Sequence, residues 1–340
     1  MKPLVSILIP AFNAEEWLAE TLKSAIGQTW ERKEIIVVDD GSTDETFRIA
    51  KQYESKIVKA VTQDNGGACK ARNKALSLAQ GDYIQWLDAD DLLAPDKLSQ
   101  QFNRDDIGRD SRVLLTSAFG MFFYTIEKAK FEPNALWQDL APVDWVKLKF
   151  TQSVWMNPAA WLVSHRLTEL AGPWDNRLAR SGDDDGEYIC RVVLASEKVQ
   201  FVPEAKCYYR VGHANSLSGR RSDSSHKELL LSTKLCVKHL LGHADNKDTR
   251  AACISLLENR LWHFYPEKGE LVKELEGLAK DLGANGVNLI ETRKYLICAK
   301  YFGDGTAKRL RNIFSGVVKV TAQKYWDKFI YFMAARNRPL

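Results

Sequence analysis

The chain has 340 residues, 45% of them hydrophobic and 27% charged, with a formal net charge of +4. That balance excludes a disordered or fibrous chain and suits a soluble globular protein with room for more than one domain. The six cysteines, Cys69, Cys190, Cys207, Cys236, Cys253 and Cys298, form no CxxC pair, which excludes a zinc ribbon and reads as reduced, buried thiols.

A strand, "LVSILIP", begins within ten residues of Met1 with no cleavage site before it, so no leader is expected. The pattern then alternates. "AEEWLAETLKSAIGQ" reads as helix, "EIIVVDD" as strand and "TDETFRIAKQY" as helix. "KIVKAVT" is a strand, "GACKARNKALSLAQ" a helix and "YIQWLD" a strand. Apolar runs this continuous suit strands covered on both faces and joined by helical crossovers. The expected fold is therefore α/β, Rossmann-like, with a mainly parallel central sheet and helices on both faces. In such sheets ligands gather beyond the carboxyl ends of the strands. Four tips deserve inspection: Pro10 to Asn13, Asp39 to Asp44, Gln63 to Gly67, and Asp88 to Asp91.

Further on, "RVLLTSAF" and "MFFYTI" read as paired strands, "VDWVKLKF" as a short helix and "AAWLVS" as a strand. "RLTELAGPWD" is a helix closed by Gly172 and Pro173. "GEYICRVVLAS" is a helix, followed by strands "VQFVPE" and "CYYRV". Beyond Ser222 long helical patterns take over, and the polar "SGRRSDSS" places a boundary near 219–222. The expected organisation is 1–220, with halves 1–102 and 103–220, and a helical region 221–340. No apolar run reaches the ~20 residues needed to span a bilayer, and a cytoplasmic address is expected.

The motifs carry the chemistry. "YIQWLDADDLL" ends a strand by crowding Asp88, Asp90 and Asp91 together. Like charges that close repel, so a divalent cation is the natural complement. In "VVDDGSTDET", Ser42 or Thr43 suits a helix cap, which leaves the Asp39-Asp40 pair unexplained. A carboxylate at a strand tip can accept a base N–H, and the two readings stand level. "QDNGGACKARN" brings glycines and Arg72 to a helix start but lacks GxGxxG and the Walker ending, so a tight turn with a surface arginine is the simpler reading.

Together, "SILIPAFNAEEWLAETLKSAIGQTW", "EIIVVDDGSTDET", "DNGGACKARNKAL" and "GDYIQWLDADDLLAPDKL" resemble glycosyltransferase family 2 over roughly residues 3 to 102. The resemblance implies a GT-A fold, a nucleotide-sugar donor and inverting transfer. It implies that Asp88 and Asp90 are the DxD pair, Asp90 on Mg²⁺ or Mn²⁺ and Asp88 bracing ribose, sugar or metal, with Asp91 assisting. Pro10, Phe12 and Asp40 would cradle the base, Asn13 and Asn65 would stand on the donor, and Arg72 would lie near base or phosphates.

"NPAAWLVSHRLTELAGPWDNRLARSGDDDGEYICRVV" is similar to the family's acceptor stretch, ending where an "ED" motif supplies the base. Here the glutamate is replaced, and Asp184-Asp185 match that motif with Asp185 as base. An acidic helix start favoured by the macrodipole explains one such acid more easily than three. "YYRVGHANSLSGRR" is similar to a stretch that closes donor sites, which implies Arg210 on the phosphates and His213 at the metal or diphosphate. Trp155, Trp161 and Trp174 could stack on sugar, but aromatics in this pattern are commonly core, and they are not assigned to the site.

From Arg293 to Leu340 eleven Lys/Arg face two acids, a balance of +9. With the aromatic face Tyr325, Phe329, Met333 this end suits a peripheral contact with the inner face of a membrane, near a lipid-linked acceptor. Packing on the catalytic domain or a second subunit suits it equally. No nucleic-acid partner is expected. The expected activity is metal-dependent transfer of one sugar, from a UDP-sugar first, to a saccharide or lipid-linked acceptor in polysaccharide or glycoconjugate synthesis. A nucleotidyltransferase and a non-catalytic nucleotide-sugar binder are the alternatives.

Overall fold

The structure, a computed structural model, describes residues 2–103, 111–179, 183–212, 222–265 and 268–287, with Lys300, Lys324, Asp327 and Lys328. Strands β1 (Val5–Ala11), β2 (Lys33–Asp39), β3 (Val58–Thr62) and β4 (Tyr83–Trp86) alternate with helices α1 (Leu18–Ile26), α2 (Thr46–Gln52) and α3 (Ala68–Leu78). The first half thus has the βα alternation its apolar runs predict. These strands are parallel, and β1 and β2 are buried along nearly their whole length because α3 packs across them.

After β4 the chain makes the short β5 (Leu92–Leu93), α4 (Lys97–Phe102), β6 (Val113–Phe122) and β7 (Lys130–Phe131). It continues through α5 (Pro142–Gln152), β8 (Leu162–Ser164), α6 (His165–Ala171), α7 (Asp184–Ala195) and β9 (Lys198–Arg210). The sheet runs β3-β2-β1-β4-β8-β6-β9-β5, with β7 on β6. β8 runs antiparallel between β4 and β6, and β5 at the edge and β7 on β6 also pair antiparallel, while the other pairings are parallel.

Two expected strand pairs are single strands instead. "RVLLTSAF" and "MFFYTI" are not a hairpin, because Gly120 lies inside β6 beneath the Phe131 ring. "VQFVPE" and "CYYRV" are one strand, β9, parallel to β6. The polar "PEAK" stretch between them is an irregularity, where the register passes from Ser117↔Val202 to Ala118↔Lys206.

Helix α8 (Asp223–His243) starts where the helical region is expected. Ser222 caps it, its hydroxyl accepting from the Ser225 N–H at 3.1 Å. α9 (Lys247–Phe264) and α10 (Gly269–Asp281) follow. The boundary near 220 marks a change of secondary structure, not of core: Leu230, Val237, Leu257 and Phe264 join the hydrophobic cluster that contains β1 and β4. Among the described residues no helix is long and apolar enough to cross a membrane. Most of the basic C-terminal end lies outside the described residues. Within it, buried Asp327 accepts from the Tyr124 and Thr125 N–H groups at 2.9 and 3.0 Å, which seats that point on the loop after β6.

Candidate active site

The strand tips open on one cleft of about 1540 Å³. The ends of β1 and β2, the loop after β3 and the loop after β4 form one wall. α5, Trp155, the first turn of α7 and Glu228 of α8 form the other. Helices from the C-terminal region therefore reach the site, which nothing in their sequence announces.

On the first wall, the expected donor residues are held by their own loops. Asn13, at φ 48°, donates its N–H to Ser42 Oγ at 2.9 Å and accepts from the Thr43 N–H at 2.9 Å. The Asp40 carboxylate accepts from Gln63 Nε2 at 2.7 Å and from the N–H groups of Gly66 and Gly67 at 2.9 and 2.7 Å. Asn65 Nδ2 donates to the Asp40 carbonyl at 2.9 Å. Asp40 thus shapes the β3–α3 turn while still lining the cleft. Pro10 lines it beside Phe12, whose ring is 42% exposed. Asp39 is internal, accepting from Thr62 Oγ1 at 2.8 Å.

The acid loop divides its carboxylates between two tasks. Asp88 and Asp90 line the cleft, whereas Asp91 is buried away from it. Asp91 accepts from the Arg210 N–H at 2.9 Å and from Asn157 Nδ2 at 2.7 Å, which makes it a brace and not a metal assistant. Arg210 requires the same correction. Its guanidinium is buried, stacked 4.0 Å from the Trp17 centroid, and donates to the Asp90 carbonyl at 2.9 Å and to Glu20 at 2.7 Å. A guanidinium held by these acceptors braces the loop from behind and is not among the residues that line the cleft. His213 lies outside the described residues.

Burial and the neighbouring Asp90 charge raise the Asp88 pKa, against the pull of Arg72. A cation at this pair would relieve that repulsion, so hard carboxylate oxygens at these positions fit Mg²⁺ or Mn²⁺. Among the described residues no cluster of three His, Cys, Asp or Glu side chains is placed to hold a metal. Asp88 and Asp90 could offer a cation two carboxylates, and the rest of its shell would have to come from outside the protein.

Arg72 connects the two walls. Its Nη2 donates to Asp88 at 3.0 Å and its Nη1 to Asp184, while the Trp174 ring lies 4.4 Å from its centre. Trp174 in turn stacks on Tyr188 at 4.1 Å. Arg72 is therefore buried between carboxylates, not a surface arginine. Trp161 and Trp174 are core, and Trp155 alone of the three is exposed.

The acid triplet at the start of α7 separates into three environments. Asp183, the residue before the helix, accepts from Ser232 Oγ at 2.8 Å and Arg260 Nη2 at 2.6 Å. Burial would raise its pKa, but Arg260 and Lys149 hold it below the usual carboxylate range. Asp184 is tied to Arg72. Asp185 accepts only from its neighbour's N–H, Gly186, at 2.8 Å among the recorded bonds, and faces the cleft. Burial, then the charges of Asp184 and Asp183, push it up to about 7 against Lys149 and Arg72. A carboxylate poised there can take a proton near neutral pH.

Lys70, Lys149, Trp155, Tyr209 and Glu228 also line the cleft and were not singled out as site residues from the sequence. Trp155 was visible as an aromatic of undecided burial. The others carry no local signal.

Residues 6–138 match the family model described as glycosyl transferase family 2. Bacillus subtilis TuaG, named for teichuronic acid biosynthesis, is 45% identical over 103 residues, which are 29% of this chain and 41% of that protein. The cholesterol galactosyltransferase of Borreliella burgdorferi is 38% identical over 124 residues, 36% of this chain and 34% of that one. The chain thus matches less than half the length of these curated relatives. S. aureus TarS 1–349, solved with UDP-GlcNAc, superposes with a TM-score of 0.65 at 16% identity, covering 92% of this chain and 91% of that one. GalNAc-T7, solved with UDP, GalNAc and Mn²⁺, superposes at 0.55 with 15% identity, covering 88% and 58%. The shared fold is GT-A.

Proposed function

Because residues 6–138 are a glycosyltransferase family 2 domain, we propose that this chain transfers one sugar, with inversion, from a nucleotide sugar to an acceptor hydroxyl. One observation carries the reading: a two-carboxylate half-site, Asp88 and Asp90, shares a cleft with Asp185, and Arg72 ties the two walls together. Relatives named for glycosyl transfer, and a fold neighbour solved with UDP-GlcNAc, support a UDP-sugar as first choice of donor and polysaccharide or glycoconjugate synthesis as the setting.

In this reading Phe12 and the Asp40-organised turn receive the base, and Asp88 and Asp90 receive a divalent cation and the diphosphate. When bound, the cation would neutralise charge on the departing diphosphate. Asp185 accepts the acceptor's hydroxyl proton while that oxygen forms its bond to the anomeric carbon. The bond from the anomeric carbon to the diphosphate oxygen breaks with its electron pair. A single displacement of this kind inverts the anomeric centre.

Calorimetry of UDP with and without Mn²⁺ tests the donor side. Parent protein should bind UDP more tightly with Mn²⁺, and Asp90→Asn should lose that enhancement. Equal enhancement in both would remove Asp90 from the metal site. Incubation with UDP-sugars should release UDP, whereas pyrophosphate release from UTP and a sugar 1-phosphate would indicate nucleotidyl transfer.

A further inference from the structure

Among the described residues four large apolar side chains are markedly exposed, Phe12, Ile57, Trp155 and Leu170. Two of them, Phe12 and Trp155, line the same cleft, on its opposite walls. Phe12 belongs to the strand tips that receive the donor. Trp155, 39% exposed, belongs to the other wall.

The chain builds a support under that indole. Ser153, at φ 52°, ends α5 in the left-handed region and turns the chain toward the cleft. Asn134 Nδ2 fixes the Trp155 carbonyl at 3.2 Å. The ring then leans on Phe119 of β6, centroids 5.0 Å apart, and meets Tyr209 of β9 edge-on at 5.2 Å. A supported but uncovered indole forgoes part of the burial energy that favours its six buried counterparts, Trp17, Trp30, Trp86, Trp145, Trp161 and Trp174. Packing alone does not explain it.

We propose that Trp155 is the platform for the acceptor, and that the acceptor residue it takes is an uncharged saccharide laid with its C–H face on the indole. The proposal rests on the glycosyltransferase reading and deepens it. The electron-rich face of an aromatic ring attracts the weakly positive C–H groups of a pyranose. Charge selects against anions. Ten carboxylate side chains line the cleft against three cations, Lys70, Arg72 and Lys149. Arg72 is consumed by Asp88 and Asp184, and the Lys149 charge acts on Asp183 and Asp185. The divalent cation expected with the donor offsets the diphosphate, so the cleft as a whole keeps its excess of carboxylates. A uronate or phosphate there meets like charge, and a neutral ring does not.

Saturation-transfer NMR with UDP and Mn²⁺ present tests this, using methyl β-D-glucopyranoside and methyl N-acetyl-β-D-glucosaminide against glucuronic acid and glycerol 3-phosphate. At least one neutral glycoside should receive saturation through its ring C–H protons. Its affinity should fall about 3- to 10-fold in Trp155→Ala and recover in part in Trp155→Phe. Binding of UDP–Mn²⁺ to the parent protein is measured separately. If it is absent, the UDP-sugar reading on which the proposal rests fails. If it is present, and the neutral glycosides do not bind, bind Trp155→Ala as well as the parent, or bind less well than the anions, this proposal alone is overturned.

Discussion

Asp184 and Asp185 differ by one position and by their whole environment. Asp184 completes the charge balance of a buried guanidinium. Asp184→Asn should therefore lower the melting temperature, since breaking a buried pair costs on the order of 3 kcal/mol. Among the described residues Asp185 has no such partner, so Asp185→Asn should fold and bind UDP–Mn²⁺ while turnover falls about 10²–10⁴-fold. Its proton also links to stability. The folded-state pKa of about 7 lies above the ordinary 3.8, so the associated stability is full below the ordinary value and declines as pH rises toward 7. Without metal, the melting temperature of Asp185→Asn should gain on the parent between about pH 4 and 7 and then level off. Turnover of the parent should rise through pH 7 as the base deprotonates. If Asp184→Asn abolishes turnover without unfolding and Asp185→Asn stays active, the base is Asp184.

At the scale of elements, the first turn of α7 is held from outside. Ser232 of α8 and Arg260 of α9 fix the Asp183 carboxylate, and His239 of α8 meets Glu187 at 2.9 Å. Gly186 leaves room for that carboxylate: a Cβ added there would lie 2.5 Å from Asp183 Oδ1. An Ala for Gly exchange inside a helix ordinarily stabilises by about 1 kcal/mol. Gly186→Ala should reverse that sign, lowering the melting temperature and turnover together. A stabilised, active Gly186→Ala protein would show that Asp183 need not sit where it does. The acid loop has its own support in Arg210. This residue touches no expected ligand, yet Arg210→Lys should weaken Mn²⁺-supported UDP binding, because a lysine cannot reproduce the fork joining Glu20 to the Asp90 carbonyl.

For the whole molecule, the helical region is part of the body that carries the cleft. It shares the core, supplies Glu228 to the cleft and holds the first turn of α7. Further on, Asp327 caps the backbone at Tyr124, whose ring lies 5.6 Å from Trp17, the residue that stacks on Arg210. Truncation after Ala307 should thus lower the melting temperature and the affinity for UDP–Mn²⁺. A truncated protein of unchanged stability that has lost binding to anionic vesicles would favour the membrane role instead.

The alternation of β-branched runs with helical periods determined the parallel first half, and four polar strand tips determined where a ligand would gather. Both are local signals, since a strand buried on two faces must be apolar throughout. The acids were legible because adjacent like charges demand a complement. What they do was decided by tertiary packing. Asp88 and Asp90 face the cleft while Asp91 turns into β9, and Asp185 is left in the cleft because Arg72 takes Asp184. Arg210 looked like a phosphate ligand because an arginine beside a glycosyltransferase motif carries that chemistry. Its partners, Glu20 and the Asp90 carbonyl, lie 190 and 120 residues away in the chain. The pairing of β6 with β9 was hidden for the same reason. A strand's partner is set by hydrogen bonding between distant segments, and the composition of either segment does not encode it.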